Sequence, residues 1–156
     1  MKSLKDLKGV FEAKEVFKLD ISGKKVEVPV KSLAVNFQDE LDEYFPYPDP
    51  PKKPNKKTHQ FEPDYDDPGY LKDCEAIDRI RIYATVVLAI DGNIKVDGEE
   101  YALEGEPADK VEALMDTKIP LGQWSKIAER IQEISGIDED SFRTSKEETR
   151  RKRRKS

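Results

Sequence analysis

Apolar and polar residues alternate through Phe17, Leu19 and Ile21, and again through Val26, Val28 and Val30, on either side of Ser22-Gly23-Lys24. Only Val16 is out of step. Two period-2 runs around a glycine-containing turn predict a β-hairpin. Pro29 lacks a backbone donor and so belongs at an outward-facing or edge position. A two-stranded hairpin is marginal in water, and its apolar face needs a cover. Leu33, Phe37, Leu41 and Tyr44 recur at helical spacing with Ser32 as N-cap. They predict a helix to residue 45 that can supply this cover and that Pro46 ends.

Regular periodicity then stops. Residues 46–68 hold seven of the ten prolines, beginning Pro46-Tyr47-Pro48-Asp49-Pro50-Pro51 and ending Asp64-Tyr65-Asp66-Asp67-Pro68. Proline fixes φ and removes a donor, so this stretch is neither helix nor central strand. It is expected to be an extended, polyproline-like linker between unlike halves, with its aromatic rings held at low entropic cost. Tyrosine among prolines offers rigid contact area of the kind interfaces favour. This makes Tyr47, Pro48, Pro50, Pro51, Tyr65, Pro68 and Tyr70 the candidate partner-binding residues. The intramolecular alternative is that the linker drapes over the helical half and buries those rings.

After the linker, Asp67 as N-cap and Pro68 at the first position open a long helix. Tyr70, Cys74, Ile77, Ile80 (with Arg81), Ala84, Val87 and Leu88 trace one stripe, widened by Leu71, Ile82 and Val86, so its later turns should be buried nearly all round. Asp91-Gly92-Asn93 is expected to stop it in the manner of a glycine C-cap. Asp97-Gly98 between short alternating runs is a hairpin signal, with a loose loop as the alternative. Pro107 opens a short helix with Val111, Leu114 and Met115 inward. Leu121, Trp124, Ile127, Ile131 and Ile134 define another, closed by Gly136, and Asp138 could cap a last one. The fold class read from this is α+β, mostly helical. Its units are a hairpin–helix lobe (1–45), the linker (46–68), an acidic helical body (69–142) and a basic tail (143–156).

Charge sharpens this division. The net charge of −5 conceals +2 over residues 1–58, −13 over 59–142 and +6 over 143–156. A charged fraction of 39% exceeds the hydrophobic 36%, so part of the chain is expected to order only on a partner. The start Met1-Lys2-Ser3-Leu4-Lys5-Asp6 lacks the apolar core of a secretory signal. The longest apolar run, residues 82–90, is far short of the ~20 residues that span a bilayer. The chain reads as a soluble intracellular protein with no membrane partner.

No catalytic or metal set assembles from these residues. The single Cys74 sits at core spacing and reads as a buried, reduced thiol. His59 is the only histidine, lies in the linker and has no ligand cluster around it. Asp64, Asp66 and Asp67 lack the spacing of a calcium loop, and Asp66 and Asp67 beside Pro68 read as helix caps. Gly23-Lys24 lacks the upstream glycine and following hydroxyl of a phosphate loop. No enzyme activity and no cofactor are expected. The run Arg150-Arg151-Lys152-Arg153-Arg154-Lys155 can neutralise phosphates in salt-sensitive nucleic-acid binding. No aromatic is interleaved to stack on bases. A solvated tail and the capture of an acidic protein are its other readings.

The order of hairpin, short helix, Pro46-Tyr47-Pro48-Asp49-Pro50-Pro51, then Asp66-Asp67-Pro68-Gly69-Tyr70-Leu71 and an apolar helix resembles the small tail assembly chaperones of long-tailed bacteriophages. The C-terminal third, with Trp124, Ile127, Ile131 and Ile134 before Ser135-Gly136, fits such a helical body. The resemblance implies a non-enzymatic protein of the host cytoplasm. Such a protein coats and solubilises the tape-measure protein during tail assembly, engages tail-tube subunits and can self-associate. A nucleic-acid-associated accessory protein using residues 150–155, or a minor phage structural or connector protein, are the rival expectations.

Overall fold

The computed structural model describes residues 1–136. The basic run 150–155 and the helix expected from Asp138 lie outside the described residues. Strands β1 (Lys14–Ile21) and β2 (Lys24–Lys31) form the expected antiparallel hairpin, with Phe17 opposite Val28 and Leu19 opposite Val26. Ser22 (φ 52°) and Gly23 (φ 80°) make a two-residue turn with both central residues left-handed. That geometry matches the natural strand twist. Val26, Val28 and Val30 are buried, and Phe17, Leu19 and Ile21 pack against them. The Pro29 carbonyl accepts the Asp91 N–H at 3.0 Å, so its backbone faces away from β1. Its missing donor therefore removes no bond from the β1–β2 ladder.

Helix α1 (Phe37–Tyr44) starts at Phe37 rather than Leu33. Ser32 is not its cap: the Ser32 hydroxyl accepts the Ala13 N–H (3.2 Å), while the Leu33 N–H donates to Ser135 Oγ (2.8 Å). Residues 32 and 33 are thus tied to other elements and do not enter the helix. Phe37, Leu41 and Phe45 are buried.

Residues 46–68 are more structured than an extended linker. Lys52–Asn55 (β3) and Gln60–Pro63 (β4) pair as a separate two-stranded sheet. Asn55 closes its turn: the side-chain oxygen accepts the Lys57 and Thr58 N–H groups (2.9 and 3.4 Å), and its carbonyl accepts that of His59 (2.9 Å). Pro54 and Pro63 are tolerated because neither strand has a further strand beside it.

Helix α2 (Pro68–Ala89) begins as expected, with the Asp67 carboxylate accepting the Tyr70 N–H at 2.9 Å and Pro68 at its first position. Tyr70, Cys74 and nearly every residue from Ala84 to Ala89 are buried. The helix ends at Ala89, before Gly92 is reached. Ile90 is extended and bridges to Val30, so sheet pairing rather than a glycine cap terminates it.

The Asp97-Gly98 signal is a hairpin, β5 (Ile94–Val96) and β6 (Glu99–Tyr101), with φ of 50° and 86° at the turn. Strand β5 pairs with β2, giving one four-stranded antiparallel sheet in the order β1-β2-β5-β6 that joins the N-terminal hairpin to the later half. Helices α3 (Pro107–Asp116) and α4 (Leu121–Ile134) follow. Val111 and Leu114 point inward as expected, but Met115 is exposed. The sheet's apolar face is covered by α2 and α4, while α1 packs on α2 instead of capping the hairpin alone. Both longer helices bring more apolar surface than the eight-residue α1 can. Residues of the hairpin, α1, α2, α3 and α4 share one core around Trp124, Ile127 and Ile131. The fold is α+β. Helices hold 43% and strands 23% of the described residues, so helix leads without forming the majority.

Candidate protein-binding surfaces

Arg81 of α2 organises the start of the proline–tyrosine segment. Its Nε donates to the Phe45 carbonyl (3.0 Å), and its Nη2 donates to Asp42 of α1 (2.8 Å). The guanidinium carbon lies 4.2 Å from the Tyr47 ring centroid, a cation–π contact. The Tyr47 hydroxyl in turn donates to Asp78, one helical turn earlier on α2. The Arg81 side chain is only 13% exposed, so these contacts act with little competition from water. One arginine therefore joins the end of α1, the first tyrosine of the segment and α2.

At the far end Tyr65 meets Tyr70 edge to face, with centroids 6.1 Å apart, and Tyr70 is buried at the start of α2. The Asp64 N–H donates to the Pro51 carbonyl (2.6 Å), and Lys53 pairs with Asp64 (3.7 Å). The candidate residues thus divide. Tyr47, Tyr65 and Tyr70 make intramolecular contacts, as the draping alternative expects. Pro48 and Pro50 are half-buried, and Pro51 and Pro68 are exposed. Phe61, on β4 between them, is exposed as well.

A second surface had no place in the reading of the sequence as a binding site. Residues 1–13 precede β1 and contain a 3₁₀ turn, Leu4–Leu7, capped reciprocally by Ser3 and Asp6. Leu4 (85% exposed) and Phe11 (83%) present large apolar side chains to solvent, with Leu7 and Val10 also exposed between them. This arm walls a groove of about 470 Å³ whose other side is Leu33, Ala34 and Phe37, with Leu88 of α2 also lining it. Glu12 and Lys31, 3.7 Å apart, tether the arm beside it. The signal was the spacing of Leu4, Leu7 and Phe11, which is helical and apolar in a segment too short to be a core helix.

A side-chain ion pair ties β1 to α4. Arg130 of α4 donates to both Glu15 carboxylate oxygens, from Nε (3.0 Å) and Nη2 (2.6 Å), and to Glu133 from Nη1 (2.8 Å). The Arg130 hydrogen bonds hold the Glu15 carboxyl below the ordinary carboxylate range, partly opposed by desolvation. A depressed folded value means the contribution is present above the unfolded value of about 4.3 and is lost as pH falls through the folded one. Glu15→Gln should therefore lower the urea midpoint at pH 7, with the deficit shrinking as pH falls below the ordinary carboxylate value. A deficit that stays constant as pH falls through the acid range would show that the contact does not depend on the charge.

Among the described residues no three potential metal ligands come together, and no helix is long and apolar enough to cross a membrane. Comparison with protein families, curated proteins and solved structures finds no match for this chain.

Proposed function

We propose that this chain is a non-enzymatic tail assembly chaperone of a long-tailed bacteriophage, working in the host cytoplasm to hold the tape-measure protein in soluble form. The observation that carries this reading is the N-terminal arm, where Leu4, Val10 and Phe11 stand exposed and Phe11 borders a groove of mixed lining, apolar at Leu33, Phe37 and Leu88 and charged at Glu12, Lys31 and Glu40. Large apolar side chains clustered on one surface mark an interaction site, and a groove between an arm and a helix suits an amphipathic client helix. The anchored proline–tyrosine segment, with Phe61, Pro51 and Pro68 outward, adds a second contact region. Two weak contacts on one client combine through effective concentration. Tail-tube subunits are a further expected partner.

The experiment is co-expression of the tagged chain with its neighbouring genes and capture at moderate salt, with and without nuclease. A long helical protein retained after nuclease supports the reading. The double variant Leu4→Asp/Phe11→Asp alters only exposed positions, so it should fold normally while retaining about tenfold less client. Undiminished retention would remove the arm from the interface.

The six consecutive cations at 150–155 favour a second reading, a nucleic-acid-associated accessory protein. Deleting residues 150–155 then abolishes salt-dependent nucleic-acid retention, whereas under the chaperone reading client capture survives it. A connector protein would instead remain in purified particles.

A further inference from the structure

Strand β1 forms one edge of the four-stranded sheet and is paired with β2 over all eight of its residues without a bulge. Backbone directions on β2 settle which of its groups face which neighbour. The carbonyls of Lys25 and Pro29 accept from Asp97 and Asp91, so these residues point away from β1. Val26, Val28 and Val30 consequently bond to Leu19, Phe17 and Glu15. The alternate residues Lys14, Val16, Lys18 and Asp20 turn their N–H and C=O groups to the open edge. Among the described residues no backbone bond outside the paired strands uses them. The edge runs for roughly 26 Å, carries no proline and has an exposed Val16 at its middle. An edge of this kind is a template for a further strand.

We propose that the occupant is β1 of a second copy of this chain, antiparallel about a two-fold axis through Phe17. The pairing has to keep outward-bonding residues opposite one another and matching faces on the same side, which restricts the registers to alternate steps. Centring on Phe17 puts Lys14 opposite Asp20 and Val16 opposite Lys18, each pair occurring twice, and brings the two Phe17 rings together on the apolar face. Centring on Lys18 opposes Lys18 to itself and aligns Val16 with Asp20. Centring on Val16 opposes Lys14 to Lys18. The charges of this strand thus favour the Phe17-centred register over both neighbours, because like charges directly opposite each other are destabilising. The same lysines that discourage other strands specify this one, and the result is a continuous eight-stranded sheet across two protomers. Lys14 also reaches Asp91 of its own chain at 3.5 Å, an exposed pair of small worth, so its side chain is available to the partner's carboxylate.

Sedimentation velocity on the full chain tests this, with circular dichroism checking that each variant folds. The parent should sediment as a dimer at micromolar concentration. Lys14→Asp and Asp20→Lys should each weaken dimerisation about tenfold, since two attractive pairs become repulsive in each. Mixing the two single variants should restore association, because every 14–20 contact across a mixed dimer again joins opposite charges. The double variant Lys14→Asp/Asp20→Lys should also dimerise. Val16→Pro removes an outward donor from the edge alone and should give a folded monomer. A monomeric parent overturns the proposal, and so does a mixture of single variants that fails to associate. A parent dimer indifferent to all these changes places the interface elsewhere and equally overturns it.

Discussion

Trp124→Ala is expected to remove about 4 kcal/mol of stability, a large share of the roughly 5–15 kcal/mol that holds a domain of this size together. Trp124 is 0% exposed on α4, beside Tyr83 of α2 at a ring separation of 6.2 Å, in the core shared by the sheet and all four helices. Its deletion leaves a cavity that none of those elements can close independently. In urea the midpoint should fall by about 2 M, followed by far-ultraviolet circular dichroism because the only tryptophan is gone. The companion Trp124→Phe separates two effects. Trp124 Nε1 is buried without a hydrogen-bond partner, the one such side-chain atom among the described residues. A desolvated, unpaired donor costs about 1–3 kcal/mol, and phenylalanine removes it while keeping much of the ring. The phenylalanine variant should therefore lose no more than about 1.5 kcal/mol. A loss equal to that of alanine would mean that the indole N–H makes a stabilising bond.

The elements of this fold that were legible in the sequence are those whose cause is local. Alternation around Ser22-Gly23 and Asp97-Gly98 marks both hairpins of the main sheet, and Asp67-Pro68 marks the start of α2. The pairing of β5 with β2 was not legible, because the strands lie far apart in sequence and their union depends on α2 folding back between them. The late start of α1 has the same origin: Leu33 is held by Ser135, 102 residues away. Strands β3 and β4 were masked by Pro54 and Pro63, which argue against a strand unless the sheet has only two. The candidate tyrosines were visible as a set, but their contacts were not. Arg81 could be placed in the apolar stripe beside Ile80, but its partners could not, since the acceptor at Phe45 is a backbone carbonyl with no sequence signature. The apolar arm went unread as a surface because three exposed leucine and phenylalanine positions look the same in sequence as three buried ones.

Arg81→Ala should release the proline–tyrosine segment from α2 and leave the core intact. Three contacts are lost together, and they are unequal. The Asp42 pair contributes least, since that carboxylate is largely exposed and an ion pair in contact with water is worth about 0–1 kcal/mol. The hydrogen bond to the Phe45 carbonyl weighs more, because its removal leaves an acceptor at the end of α1 beside the buried Phe45. The cation–π contact with Tyr47 adds about 0.5–2 kcal/mol, while the Tyr47 hydroxyl bond to Asp78 is kept. A total near 2 kcal/mol corresponds to about thirtyfold faster local opening. Hydrogen exchange followed by mass spectrometry should show this in peptides covering residues 42–66, with β2 and the buried half of α2 unchanged. Arg81→Lys keeps the charge but not the planar fork, so it should lie between parent and alanine. Uniform acceleration across the sheet and helices would instead make Arg81 a core residue, and the segment's attachment would have to rest on Tyr65 and Tyr70. If exchange is accelerated only locally, the segment's exposed residues can be tested for client contact in the Arg81→Ala background, where their presentation is lost but the fold is kept. A chaperone that needs the anchored segment should lose client there, and one that binds through the arm alone should not.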